Sequence, residues 1–130
     1  MVITRKRVLI VDDDEQSRKA FDGLLRSLGY DTVFAKDGED AIDVLAFDAG
    51  FDLIVTDLIM PHMTGFDFTQ RLKAHFRTMN IPVIVTSAFH DWHRTIDKRD
   101  LVVDGFIAKP VEREALMKVL DRVLMGRQGG

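Results

Sequence analysis

Short runs of bulky apolar residues recur along the chain and predict the strands of a sheet. Four of these runs, at residues 8–11, 53–56, 83–86 and 106–108, are nearly continuous. Strands that are covered on both faces show such runs instead of an alternation of apolar and polar residues, as in parallel sheets. A fifth run, at residues 32–35, predicts a strand nearer an edge of the sheet.

Helical periodicity fills most of the intervals between these runs. Apolar residues recur at helical spacing in four stretches, at residues 20–28, 41–46, 66–76 and 115–124. Gly29 is well placed to end the first helix. Residues 89–101 carry many charges and little apolar periodicity, and predict only a short fifth helix.

Strand and helix therefore alternate five times, which predicts an α/β fold with a doubly wound parallel sheet and right-handed crossovers. A chain of 130 residues fits one domain and is long enough to bury a core. We expect a single domain over residues 1–130, with a core from about 6 to 125 and no second domain.

Composition and charge narrow the possible partners. Lys plus Arg number 18 and Asp plus Glu number 21, so the net charge of -3 favours neither nucleic acid nor an anionic membrane. The absence of cysteine excludes disulfides and thiolate metal sites, and fits a reducing compartment. The apolar run after Arg7 is too short for a signal peptide or a membrane span, so we expect a cytoplasmic protein.

Polar side chains that can carry out chemistry follow the predicted strands directly. They are Asp12 and Asp13 after the first strand, Asp57 after the third, Thr86 and Ser87 at the fourth, and Lys109 after the fifth. Ligands of open parallel sheets bind beyond the carboxyl ends of the strands. We therefore expect three acids, the hydroxyls and one amine to meet at one edge of the sheet.

Electrostatics limits what such an edge can do. Two carboxylates about 5 Å apart repel each other by roughly 3 kcal/mol at an effective dielectric near 20, so three of them shift a pKa or recruit a cation. An all-oxygen ligand set with few protein donors predicts Mg²⁺, which often shares its ligands with a phosphate. Lys109 and a hydroxyl are then available to hold a phosphoryl group while a carboxylate acts as nucleophile.

Four motifs in order resemble the receiver domain of two-component response regulators, of the stand-alone chemotaxis type. They are VDDDEQSR at residues 11–18, DLIMPHMTG at 57–65, TSA at 86–88 and FIAKP at 106–110, and they span almost the whole chain. The resemblance implies a flavodoxin-like fold with five helices and strand order 2-1-3-4-5. It also implies a cis peptide bond between Lys109 and Pro110.

The resemblance implies a metal and acceptor role for the acids. Asp57 is expected to be the phosphoacceptor. Asp13 and Asp57 are expected to bind Mg²⁺ directly, and Asp12 through water. The backbone carbonyl of Ile59 is expected to be a further ligand.

The same resemblance implies the groups that sense the phosphoryl group. Ser87 is expected to donate a hydrogen bond to one phosphoryl oxygen, and Lys109 to pair with another. We choose Ser87 over Thr86 because the family places its hydroxyl directly before a small residue. Phe106 is expected to turn inward once Ser87 is drawn to the phosphate.

The function implied is a phosphorylation-dependent signalling switch, a phosphoacceptor domain and not an enzyme. It is expected to assist its own phosphorylation and dephosphorylation. The expected partners are a sensor histidine kinase or a histidine phosphotransfer protein, and a downstream protein target. A monomer or weak homodimer is expected.

Four other interpretations stand beside this one. A hydrolase that forms an aspartyl-phosphate commonly carries a second acid two residues after the nucleophile, where this chain has Ile59. A flavin or nucleotide domain needs a Gly-rich or hydroxyl-rich phosphate loop, where this chain has carboxylates. The chain can also be an interaction module that is never phosphorylated, or a fragment of a larger response regulator or hybrid kinase.

Overall fold

Parallel strand pairing organises the molecule. The computed structural model describes residues 5–88 and 103–128, with side chains as far as Leu124. Its strands are β1 (Arg7–Val11), β2 (Asp31–Ala35), β3 (Leu53–Asp57), β4 (Val83–Ala88) and β5 (Gly105–Lys109). They form one sheet in the order β2-β1-β3-β4-β5, and every neighbouring pair is parallel. The predicted α/β class, the strand order and the edge position of β2 are confirmed.

Helices connect the strands. They are α1 (Glu15–Ser27), α2 (Gly38–Phe47), α3 (Gly65–Lys73) and α4 (Arg113–Gln128). Side chains accept backbone hydrogen bonds at the starts of the first three, from Asp14 on α1, Asp37 on α2 and Thr64 on α3. The short helix predicted at residues 89–101 lies outside the described residues.

The third helix ends earlier than the apolar pattern predicted. The helix stops at Lys73, and Phe76, which the pattern placed on the buried stripe, is 79% exposed. The hydroxyl of Thr78 donates to the carbonyl of Leu72 at 2.7 Å and so satisfies an acceptor that a longer helix would have used. A polar contact of the following turn therefore overrides the apolar spacing.

Two apolar layers cover the two faces of the sheet. Side chains of α2 and α3 pack on one face with Leu9 and Val11 of β1. Side chains of α1 and α4 pack on the other face with Val8 and Ile10. Because successive residues of a strand point to opposite faces, β1 contributes to both layers, which explains its continuous apolar run.

Strand register aligns the carboxyl ends of the central strands. Asp57 at the end of β3 is opposite Thr86 of β4, and Ala88 of β4 is opposite Lys109 of β5. Val11 ends β1 beside Thr56, so the residue after it continues along the same edge. The fold thus brings the polar ends of four strands together.

Gly65 allows the chain to leave this edge tightly. Its N–H donates to the carbonyl of Leu58 at 2.8 Å, and a Cβ at this position would lie 2.5 Å from the carbonyl oxygen of Asp57. Both neighbours are backbone atoms, so neither can move without displacing the loop.

We expect Gly65→Ala to lower the free energy of unfolding by about 1 to 3 kcal/mol, because the added methyl group overpacks against backbone. Gly23 on α1 has no atom within 4 Å of a built Cβ, so Gly23→Ala is the matched control. That control should gain about 0.5 to 1 kcal/mol from helix propensity. Urea unfolding measures both. A Gly65→Ala protein as stable as the wild type would contradict the close approach.

Candidate functional site

Three carboxylates from two strand ends form the centre of the site. One oxygen from each of Asp12, Asp13 and Asp57 lies within 4.8 Å of the other two. Asp12 is 1% exposed and Asp57 is 9% exposed, whereas Asp13 is exposed to solvent. The acids that the sequence placed at this edge are therefore brought together.

Lys109 bridges two of these acids from the end of β5. Its Nζ lies 2.9 Å from Oδ2 of Asp12 and 3.3 Å from Oδ2 of Asp57. Burial lowers the pKa of the amine, but the hydrogen bond to Asp12 and the charge of Asp57 outweigh burial and leave the pKa of Lys109 above its usual value. The amine is therefore a fixed positive charge between two carboxylates.

Burial sets the protonation behaviour of Asp57. Loss of solvent, together with the charge of Asp12, raises the pKa of Asp57 to about 6, against the opposing effect of Lys109. The backbone N–H of Ile59 also donates to the Asp57 carboxylate and favours its charged form. At pH 7 the ionised carboxylate therefore predominates.

The two oxygens of Asp12 are both engaged. Oδ1 accepts from the backbone N–H of Asp14 at 2.9 Å, and Oδ2 accepts from Lys109. The guanidinium of Arg18 donates to the backbone carbonyl of Asp12 at 2.9 Å. Asp12 is therefore held in place, while Asp13 stays accessible.

The contact of Arg18 was missed at the level of sequence, although the residue belongs to the first motif. Its signal was position alone: Arg18 lies four residues after the N-cap Asp14, so one helical turn returns it to the site. Nothing in the apolar pattern distinguishes it from the other cations of α1.

The two candidate hydroxyls lie on β4 and are both 1% exposed. Thr86 Oγ1 lies 3.5 Å from the carbonyl of Thr56 and so contacts the backbone of the neighbouring strand. Ser87 is opposite Ala108 of β5. The role chosen for Ser87 stays a prediction.

The remaining predicted residues flank the acids. Ile59, two residues after Asp57, is 51% exposed. Phe106 on β5 is half-buried, and its ring meets that of Phe66 edge to face, with centroids 6.4 Å apart and planes at 71°. The peptide bond between Lys109 and Pro110 is cis, which confirms that expectation. The metal and switch roles of Ile59 and Phe106 stay predictions.

A family model described as the response regulator receiver domain matches residues 8–121. The chain belongs to this family. Receiver domains of response regulators act in two-component, phosphorylation-dependent signalling. In the described part of this receiver domain, no helix is both long and apolar enough to cross a bilayer.

Named relatives differ in how much of their length this receiver domain spans. It is 35% identical over 122 residues to the chemotaxis protein CheY of Pseudomonas aeruginosa, covering 90% of this chain and 98% of that protein. It is 35% identical over 123 residues to the 3',5'-cyclic-nucleotide phosphodiesterase regA of Dictyostelium discoideum, covering 93% of this chain but only 16% of regA. The solved structure of chemotaxis response regulator CheY4 of Vibrio cholerae superposes with a TM-score of 0.82 at 31% identity, over 93% of this chain and 100% of that one.

The raised pKa of Asp57 predicts a pH dependence of stability in the absence of Mg²⁺. Between pH 4 and pH 6 the folded protein holds a proton on Asp57 that the unfolded chain releases, so this group's contribution to stability falls as pH rises. Asp57→Asn has no titrating carboxyl group at this position, so its free energy of unfolding does not fall with pH for this reason. We expect the variant to exceed the wild type in free energy of unfolding by about 1 to 3 kcal/mol at pH 7, and by little at pH 4.

Urea unfolding in EDTA across this pH range measures the difference. Asp43→Asn, which removes an exposed aspartate on α2, is the matched control and should leave the pH dependence unchanged. If the difference in free energy of unfolding between the wild type and Asp57→Asn stays constant with pH, the pKa of Asp57 is not raised and this prediction is wrong.

Proposed function

We propose that this receiver domain is a signalling switch that accepts a phosphoryl group on Asp57, with Mg²⁺ bound by the adjacent acids. One observation carries the proposal: Asp57 is nearly buried within 3.3 Å of the Lys109 amine, and its carboxylate clusters with Asp12 and Asp13. The carboxylate is thus ionised at neutral pH and faces a cation that can hold an anionic substrate.

The donor set fits Mg²⁺. Carboxylate oxygens are its preferred protein ligands, and it keeps several waters when few protein donors are present. Asp13 and Asp57 would bind it directly, and Asp12 would bind through water because both its oxygens are already engaged. The backbone carbonyl of Ile59 would complete the protein ligands. When bound, the ion neutralises part of the charge on the phosphoryl oxygens.

The transfer exchanges one bond at phosphorus for another. One Oδ of Asp57 forms a bond to phosphorus as the bond between phosphorus and the imidazole nitrogen of a phosphohistidine breaks. The other ring nitrogen of the imidazole takes up a proton from solvent, so that the leaving group departs as neutral imidazole. Lys109 pairs with one phosphoryl oxygen, and Ser87 donates to another.

The bound phosphoryl group carries a charge of about -1.5 to -2 and replaces the single negative charge of the Asp57 carboxylate, so the edge becomes more negative by about 0.5 to 1. The amine of Lys109 is already shared by two carboxylates, so a new anion competes for it. Movement of Ser87 toward the phosphoryl group frees space beside β4, into which Phe106 turns. Ser87 lies on β4 and Phe106 on β5. Their movement would change the surface along these two strands, which we propose as the surface that binds a downstream protein.

The donor would be a sensor histidine kinase or a histidine phosphotransfer protein. The domain would act as a phosphoacceptor and not as an enzyme with turnover, since no acid follows Asp57 by two residues. Exposed Ile59 stands there and offers no group to activate water.

Incubation with Mg²⁺ and acetyl phosphate tests the acceptor. We expect one base-labile phosphoryl group per chain by intact mass, none in Asp57→Asn, and an unchanged yield in the matched control Asp43→Asn. Ser87→Ala should slow phosphorylation by about tenfold or more, because one hydrogen bond to the transition state is lost. A phosphoryl group that persists in Asp57→Asn would place the acceptor elsewhere, and continuous release of phosphate would favour a hydrolase.

Calorimetric titration with Mg²⁺ tests the metal site separately. Asp13→Asn should weaken binding by about tenfold or more, because it removes a charged ligand. Asp14→Asn is the matched control: Asp14 caps α1 from outside the cluster, and asparagine caps equally well. Equal weakening by both substitutions would show a general effect of charge instead of direct coordination.

A further inference from the structure

A second concave surface lies between α2 and α3. Its cavity has a volume of about 280 Å³. The apolar residues that line it are Ile42, Leu45 and Ala46 of α2 and Leu72 of α3. Arg71, His75 and Arg77 line it as well, and we call this surface the α2–α3 groove.

Two exposed phenylalanines are adjacent in sequence to residues that line the groove. Phe47 is 94% exposed and directly follows the lining residue Ala46, and Phe76 is 79% exposed and directly follows His75. The ring of Phe76 stacks on that of His75, with centroids 5.0 Å apart and planes at 19°. Exposed aromatic side chains grouped around a cavity are typical of a surface that binds another molecule.

Two arginines give the groove positive charge. In the part of the chain that the structure describes, no ion pair involves Arg71 or Arg77. Asp48 lies close enough to Arg77 to feel its charge, but its carboxylate is bound to Arg7 at 2.9 Å. No carboxylate lines the cavity.

Local hydrogen bonds orient these polar groups. Arg77 Nη1 donates to the carbonyl of Ala46 at 3.1 Å, which fixes its guanidinium at the end of α2. The backbone N–H of Arg77 donates to Nδ1 of His75 at 3.2 Å, so Nε2 carries the proton of the neutral ring and acts as a donor. The groove therefore presents hydrogen-bond donors around an apolar floor.

The groove lies away from Asp57. It is formed by the later turns of α2 and α3, and helices of a doubly wound sheet run back toward the start of the next strand. The amine of Lys73, the last residue of α3, donates to the carbonyl of Ile81 at 3.0 Å, just before β4 begins. The groove is thus at the end of the sheet opposite the acids.

We propose that the α2–α3 groove docks an acidic amphipathic helix of a partner protein, independently of phosphorylation. A large apolar side chain of that helix fills the cavity, whose floor is apolar. Glutamate or aspartate side chains beside it pair with Arg71 and Arg77. A groove between two helices suits a helical ligand.

A blocked synthetic peptide of about 14 residues is the probe, with Phe and Leu at positions i, i+3, i+4 and i+7 and Glu on its flanks. We expect fluorescence anisotropy to give saturable binding at micromolar concentration, and the same peptide with Lys in place of Glu to bind at least tenfold more weakly. Arg71→Glu with Arg77→Glu should reverse this preference. Lys118→Glu with Arg122→Glu, two exposed cations of α4, is the matched control and should preserve it.

Phosphorylation by acetyl phosphate should proceed normally in both double variants, which separates this test from that of Asp57. If the glutamate pair at residues 71 and 77 unfolds the protein, Arg71→Gln with Arg77→Gln should still weaken acidic peptide binding about tenfold.

Three outcomes would overturn the proposal. The first is no saturation below about 1 mM, or equal binding of the acidic and basic peptides. The second is self-association of the chain that Phe47→Ser with Phe76→Ser abolishes and that blocks the peptide, which would assign the groove to a second copy. The third is displacement of the peptide by phosphatidylserine vesicles, which would assign it to a membrane surface.

Discussion

The contact of the Lys109 amine with two carboxylates is the interaction on which the site depends. The amine lies 2.9 Å from Oδ2 of Asp12 and 3.3 Å from Oδ2 of Asp57. In the sequence these acids precede Lys109 by 97 and 52 positions. Asp12 and Asp57 are close together and poorly solvated, so their carboxylates repel each other, and the half-buried Lys109 cation reduces that repulsion. The ion pairs also link the ends of β1, β3 and β5 across the sheet.

The parallel sheet is what makes such a contact possible. Each strand ends at the same edge, and the register places Asp57 opposite Thr86 and Ala88 opposite Lys109. The residues at the helix starts fix the loops that leave this edge. Asp14 caps α1, and Gly65 lets the start of α3 pack closely against the end of β3. Local capping, strand register and charge pairing therefore support one arrangement.

Much of this arrangement follows from the sequence. The apolar runs located all five described strands, because strands buried on both faces leave a strong signal, and the strand ends identified the acids and Lys109. The apolar spacing wrongly predicted that α3 continues to Phe76. The Thr78 hydroxyl donates to the carbonyl of Leu72 near the end of α3, and the apolar pattern contains no information about such a polar contact. The pKa of Asp57 near 6 was also beyond the sequence, since it depends on burial and on distances that only the fold creates.

The sharing of one lysine between two acids would couple the binding of the proposed metal to that of the proposed phosphoryl group. A phosphoryl oxygen that takes the amine leaves Asp12 with less compensation, so the anionic cluster attracts a divalent cation more strongly than before. Thermodynamic linkage makes this effect reciprocal. If phosphorylation raises the affinity for Mg²⁺ by a given factor, bound Mg²⁺ raises the equilibrium constant for phosphorylation by the same factor. The available concentration of free magnesium would thus act as a second input that sets how much of the protein stays switched.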